Sequence, residues 1–213
     1  AALLRTPQTI QLFQTQPARQ GEPAPILQYF GALMERGKLN PVESVTLVRL
    51  VAAQRKDLIE KWLGEDKLDW SEEIGDTVRP FDRTLAIKIY IKADAKEKAA
   101  FGLAEEGHFD KLVAWAKTVN YNPDWLKLIG ALVQANPAGA AALAKLLLTN
   151  QVEVSREAIV DIFVKRNLIR EVTELVIDVN KNQPEDGGLQ TLILELNLLN
   201  APTVAEFIFA QNL

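Results

Sequence analysis

A short phrase recurs along this chain and limits what it can fold into: apolar residues three or four apart, two polar residues, a Gly, Asn or Asp, then another apolar residue. It occurs as Leu33-Met34-Glu35-Arg36-Gly37-Lys38-Leu39, Leu63-Gly64-Glu65-Asp66-Lys67-Leu68, Leu103-Ala104-Glu105-Glu106-Gly107-His108-Phe109 and Phe163-Val164-Lys165-Arg166-Asn167-Leu168-Ile169. Each copy reads as one helix ending and the next beginning. Gly, and after it Asn, tolerates the left-handed conformation that closes a helix, and the following apolar residue can fold back on the last turn. The turn positions 37, 66, 107 and 167 lie 29, 41 and 60 residues apart, close to 30 or a multiple of it, as in helix-pair repeats. The phrase predicts stacked helical hairpins, with Gly37 and Gly107 at positive φ.

Composition suits a soluble helical rod folded throughout: 48% of residues are hydrophobic and 24% charged, enough to bury a long core and stay in solution. The net charge of −4 and pI near 5.2 come with no Lys/Arg stripe, so nucleic acid is set aside as a partner. Without cysteine neither a disulfide framework nor a thiolate metal site is available, and a reducing cytosol is permitted. No apolar run reaches the 18 or so residues that span a bilayer, and Ala1-Ala2-Leu3-Leu4-Arg5-Thr6-Pro7 lacks the regions of a signal peptide. The chain opens without Met and closes in an amphipathic stretch at Ala210-Gln211-Asn212-Leu213, which reads as a piece of a longer protein.

Helix starts are well marked. Thr6-Pro7, Pro23, Asn40-Pro41, Asn122-Pro123, Asn136-Pro137 and Ala201-Pro202 each place Pro near a first turn, and Ser71 and Asp82 precede further starts as N-cap acceptors. The spacing predicts helices over 7–15, 24–36, 41–53, 55–65, 71–78, 83–92, 95–106, 109–119, 123–135, 138–149, 156–166, 168–181, 189–199 and 203–212. Most connections are two to five residues long, which makes consecutive helices antiparallel neighbours, and only 16–25 and 181–188 resemble linkers. The fold class is therefore all-α: an α-solenoid of stacked antiparallel hairpins, about 30 residues per pair, running as one continuous body. Leu85, Ile89, Phe101, Leu112, Trp115, Trp62 and Trp125 are expected in the core between helices.

A search for chemistry returns little. Catalysis calls for a nucleophile beside a base, a metal cluster or carboxylates in contrasting environments. The single histidine, His108, follows Gly107 among Glu105, Glu106 and Asp110 and reads as a surface or capping residue rather than a ligand. The acidic stretch Glu65–Glu73 lacks the ligand spacing and central Gly of a calcium loop and reads as a solvated helix start. Gly187-Gly188 and Pro137-Ala138-Gly139 are loop signals without a phosphate-cradling pattern. The residues nominate no catalytic site, no cofactor and no metal.

Particular residues carry a resemblance. Leu4-Arg5-Thr6-Pro7, Thr9-Ile10, Phe13-Gln14, Leu27-Gln28-Tyr29-Phe30-Gly31, Leu39-Asn40 and Glu43-Ser44 are followed by Glu60-Lys61-Trp62-Leu63, Glu65-Asp66-Lys67-Leu68 and Ser71-Glu72-Glu73-Ile74-Gly75-Asp76. Leu85-Ala86, Tyr90, Pro123-Asp124-Trp125, Asn167-Leu168-Ile169, Leu189-Gln190-Thr191 and Ala201-Pro202 continue the series. In this order they resemble the clathrin heavy-chain family. Asp69-Trp70 stands where the family often has Glu-Cys, Pro41 replaces a non-proline, and 93–118 and 138–158 match loosely.

The resemblance implies that 1–145 corresponds to the helical linker and ankle, and 146–213 to the start of the first leg repeat. It implies a structural segment without enzyme activity, part of a triskelion that builds the coat of vesicles in endocytosis and intracellular transport. Implied partners are other clathrin heavy chains, with light chain bound elsewhere on the full chain and adaptor or accessory proteins at the ankle. Nucleic acid and direct membrane insertion are not implied, and the location is cytoplasmic, at coated pits and vesicles. The docking hairpin would be 83–92 with 109–119, with Ile91, Lys92, Lys117 and Thr118 as its partner-binding candidates. A helical-repeat interaction module from another trafficking or tethering complex is the alternative; generic repeats would share the periodicity but not the Glu60–Asp76 identities.

Overall fold

The computed structural model describes residues 5–18, 20–150 and 152–200, the side chains of 198–200 excepted. The expected helix over 203–212, and the positions Leu4 and Ala201-Pro202, lie outside the described residues. Thirteen α-helices and no strand occur among the described residues. They are α1 Pro7–Thr15, α2 Pro25–Arg36, α3 Pro41–Val51, α4 Lys56–Gly64, α5 Glu72–Val78, α6 Arg83–Lys92, α7 Lys96–Glu105, α8 Phe109–Thr118, α9 Trp125–Ala135, α10 Pro137–Thr149, α11 Arg156–Val164, α12 Ile169–Asn182 and α13 Gly187–Asn200.

The chain forms two compact units, residues 1–102 and 103–213. In the first, α1 packs on α2, α2 on α3, α3 on α4 and α5, and α5 on α6; in the second, α10 packs on α8, α9 and α12, α11 on α9 and α12, and α12 on α13. Contacts to the next helix and the next but one are those of stacked antiparallel hairpins, so each unit is packed as an α-solenoid. Helices α3, α5, α7, α9, α11 and α13 begin 31, 24, 29, 31 and 31 residues apart, the repeat of about 30 that the turn phrases predict. Fully buried Phe30, Ile59, Ile74 and Ile89 line the first core, and Leu112, Ile129, Leu143, Leu147 and Phe163 the second.

Side-chain caps decide where the helices begin. The side chains of Thr6, Asn40, Ser71, Asp82, Asp124, Asn136 and Ser155 each accept a hydrogen bond from a free N–H of the first turn. At α3 the cap is reciprocal, since the Glu43 carboxylate also accepts from the Asn40 N–H at 3.0 Å. Pro7, Pro25, Pro41 and Pro137 occupy the first turns of their helices. Pro123 does not: Asp124 takes the cap of α9, accepting from the Lys127 N–H at 2.9 Å, and the helix starts at Trp125.

The recurring phrase marks helix ends of one geometry. Asp66, Gly107 and Asn167 have φ of 53°, 73° and 58°. In each case the following residue donates to a carbonyl five positions back: Lys67 to Trp62 at 2.8 Å, His108 to Leu103 at 2.9 Å and Leu168 to Phe163 at 3.0 Å. This is the Schellman closure, which satisfies carbonyls the helix leaves unpaired. Two further ends are built the same way on residues the phrase does not mark, Asp94 (φ 56°) and Asn120 (φ 47°), with Ala95 donating to Tyr90 and Tyr121 to Ala116, both at 2.9 Å.

Gly37 departs from this geometry. Its φ of 155° is positive, but with a ψ of −161° it lies outside the left-handed helical region that Asp66, Gly107 and Asn167 adopt. The Leu39 N–H donates to the Lys67 carbonyl at 2.9 Å, and the Lys67 ammonium takes the Met34 carbonyl of α2 at 2.7 Å. The turn at 37 is thus stitched to the turn at 66, one hairpin on. Aromatic placement differs from expectation as well. Trp125 is buried at 6% exposure, whereas Trp62, Trp115 and Phe101 are only half-buried; Leu85, Ile89 and Leu112 are core residues.

Gly107 has open space where a Cβ would sit, so a side chain there is opposed by backbone conformation alone. Gly107→Val is expected to lower stability by at least about 1 kcal/mol in urea unfolding, since a β-branched residue resists φ near +70°. Asn167→Gly, which already occupies that region, should be close to neutral.

Candidate interaction surface

The four residues nominated from the sequence occupy matching local positions. Ile91 and Lys92 close α6 and are exposed, Ile91 at 38%; Lys117 and Thr118 close α8 and are exposed. Each pair directly precedes a left-handed turn, and the Ile91 and Lys117 carbonyls accept from Asp94 and Asn120 at 3.4 and 3.3 Å. The Thr118 hydroxyl donates to the Ala114 carbonyl at 2.9 Å. Lys117 borders a cleft of about 230 Å³ walled by Val113, Ala116, Tyr121, Trp125 and Val152. Ile91 and Lys92 lie in the first unit, Lys117 and Thr118 in the second.

The most organised polar cluster lies elsewhere, on α5, α6 and α7. Tyr90, 2% exposed, donates its hydroxyl to Asp76 Oδ1 at 2.9 Å. Lys98 Nζ donates to both Asp76 oxygens at 2.7 and 2.6 Å, and pairs with Glu72 at 2.7 Å. Burial, then Asp76, pushes the Tyr90 hydroxyl up to about 12. Burial tends to raise the Asp76 carboxyl, but hydrogen bonds from Lys98 and Tyr90 outweigh it and hold the group below its ordinary value. The Lys98 ammonium is raised by its bonds to Asp76 and Glu72. The cluster therefore keeps a carboxylate, an ammonium and a neutral phenol, and no member titrates near neutrality. It fastens three helices and has no group poised for proton transfer.

Glycine permits this close packing. A Cβ on Gly75 would lie 2.3 Å from Tyr90 Cε1, and one on Gly102 would lie 2.7 Å from Ile87 Cγ1, so α6 is gripped from α5 and α7 at backbone contact distance.

Charge pairs link helices one repeat apart. Arg49 reaches Glu73 at 2.6 Å, Lys88 reaches Glu60 at 2.8 Å, Lys145 reaches Asp178 at 2.8 Å and Arg156 reaches Asp186 at 2.6 Å. The acidic stretch is the exposed helix start that the sequence predicts, with Ser71 as N-cap and Glu72 and Glu73 in the first turn, and its carboxylates also join this ladder, Asp66 and Asp69 on Lys38, Glu72 on Lys98 and Glu73 on Arg49. Most of these pairs are exposed and worth little singly. Arg5–Glu43 differs, because the Glu43 side chain is 1% exposed. Burial would raise its pKa, but hydrogen bonds from Arg5 and the Asn40 N–H hold it below the ordinary value. The sequence signal for the ladder is an acid and a base 24 to 33 residues apart, legible only once the repeat length is known.

Among the described residues no three His, Cys, Asp or Glu side chains group as metal ligands. His108 is the exposed N-cap residue of α8 and makes no side-chain capping bond. No helix of the described residues is long and apolar enough to cross a membrane.

Stacked hairpins fastened by charge pairs define a helical-repeat segment. Residues 1–33 match the clathrin-H-link family model. The chain is 47% identical to clathrin heavy chain 1 of Oryza sativa subsp. japonica over 217 residues, covering 99% of this chain and 13% of that protein. It is 46% identical to the clathrin heavy chain of Dictyostelium discoideum (97% and 12%) and 42% identical to clathrin heavy chain 2 of Homo sapiens (99% and 13%). The chain is a homologue of one segment of the clathrin heavy chain, and it spans about an eighth of the length of the curated relatives it matches.

Gly75→Ala should cost about 1–3 kcal/mol through overpacking against Tyr90, and much less in a Tyr90→Ala background, as urea unfolding of the double-mutant cycle would read. The fastening also has a pH signature. Asp76, with a depressed folded pKa, contributes stability above the ordinary carboxylate value of about 3.9 that is lost as pH falls through the folded value. Lys98, with a raised folded pKa, contributes below about 10.4 and loses it as pH rises through its folded value. The stability difference between parent and Asp76→Asn should therefore be flat from about pH 5 to 9 and shrink in acid.

Proposed function

We propose that this chain is a structural segment of a clathrin heavy-chain leg, contributing to a triskelion and to the polyhedral coat of vesicles in endocytosis and intracellular transport. The supporting observation is similarity of 42–47% that runs along 97–99% of the chain, across stacked hairpins. Residues 1–145 would serve as linker and ankle and 146–213 as the start of the first leg repeat. The segment works as a strut and catalyses nothing. Its partners would be other heavy chains in the trimer and lattice, light chain elsewhere on the full protein, and adaptor or accessory proteins at Ile91, Lys92, Lys117 and Thr118. Its place of action would be the cytoplasmic face of coated pits and vesicles.

Replacing the corresponding segment of the Dictyostelium heavy chain by this one tests the reading. The chimera is expected to trimerise, to assemble into cages seen by electron microscopy, and to support coated-pit recruitment in cells lacking their own heavy chain. A chimera that folds and trimerises but builds no cages would overturn it. In the same background, Lys92→Glu with Lys117→Glu should leave cage assembly intact and reduce recruitment of accessory proteins.

A further inference from the structure

The first helix is held by few contacts. Of its nine residues α1 buries only Ile10, while Leu12 is 61% exposed; α3, by contrast, buries Glu43, Ser44, Val45, Leu47, Val48 and Val51. Beyond Ile10, α1 is fixed to the unit by a stack of Phe13 on Tyr29, with ring centroids 4.8 Å apart, and by Arg5 just ahead of the helix. Arg5 Nε donates to Glu43 Oε1 at 2.8 Å and its Nη2 to the Lys38 carbonyl at 3.2 Å, across 38 and 33 residues of sequence. Such sparse apolar burial is the usual mark of an element that opens locally while the remaining stack stays folded.

We propose that α1 is a strap that docks on and leaves α2 as a unit, with the Arg5–Glu43 pair as its latch. Its seat on α2 is Tyr29, against which the Phe13 ring stacks. Release uncovers Tyr29 and strips the Glu43 carboxylate of its guanidinium. That lost pairing of a buried charge is the force that returns the strap. The inference rests on contacts within the first unit and is independent of the coat reading.

Hydrogen exchange on the 213-residue chain decides it, comparing amides 11–15 of α1 with amides 47–51 of α3. Glu43 also caps α3, so Arg5 is the residue to change. In the parent, α1 should exchange at least about ten-fold faster than α3. Arg5→Ala should speed α1 about ten-fold further with α3 unchanged, and Phe13→Ala, which leaves the latch intact, should also act on α1 alone. Arg5→Lys, which keeps the charge but not the forked contact, should fall between parent and Arg5→Ala. Exchange in α1 as slow as in α3, no response to Arg5→Ala, or equal acceleration throughout residues 5–102 would each overturn the proposal.

Discussion

A chain that starts a new helix every 11 to 19 residues must solve the same problem repeatedly: every helix end leaves backbone N–H and C=O groups without partners. Here the two ends are answered differently. Most of the described starts take a side-chain oxygen from Ser, Thr, Asn or Asp, and five of the ends fold through one left-handed residue at Asp66, Asp94, Gly107, Asn120 or Asn167. At Asp94, Gly107 and Asn167 only three or four residues separate one helix from the next, so the way the carbonyls are satisfied also keeps these connections short.

Stacking sets the second layer of constraint. Each hairpin is amphipathic on two sides and cannot bury its apolar residues alone, so Ile59, Ile74 and Ile89 reach full burial only between successive helices. Energy for this comes mainly from apolar burial; the charge ladder adds alignment, since pairs such as Lys88–Glu60 and Lys145–Asp178 form in only one register of neighbouring helices. Where the packing is tightest, side chains give way to glycine. Gly75 and Gly102 let α6 approach at distances a Cβ would forbid, and the Asp76–Tyr90–Lys98 cluster holds α5, α6 and α7 in that arrangement.

The sequence by itself determined the helices and the repeat. Local signals suffice for these, because a cap such as Asn40 with Glu43, or a turn such as Gly107, acts within four residues of itself. The order of helices and the spacing near 30 were therefore legible, as was the family, through the ordered identities between Leu4 and Pro202. The candidate residues Ile91, Lys92, Lys117 and Thr118 were legible as exposed helix ends. What the sequence could not convey was anything decided by a partner a full repeat away. Gly37 carries the same phrase as Gly107 yet adopts another conformation, in a turn that Lys67, 30 positions on, ties down through the Leu39 N–H and the Met34 carbonyl. Trp62 and Trp115 have the periodicity of core residues and stop half-buried, and the exposed acidic stretch finds its cations on Lys38, Arg49 and Lys98, which lie elsewhere in the sequence. Those outcomes depend on which side chains meet across neighbouring helices, and only tertiary packing brings them within reach.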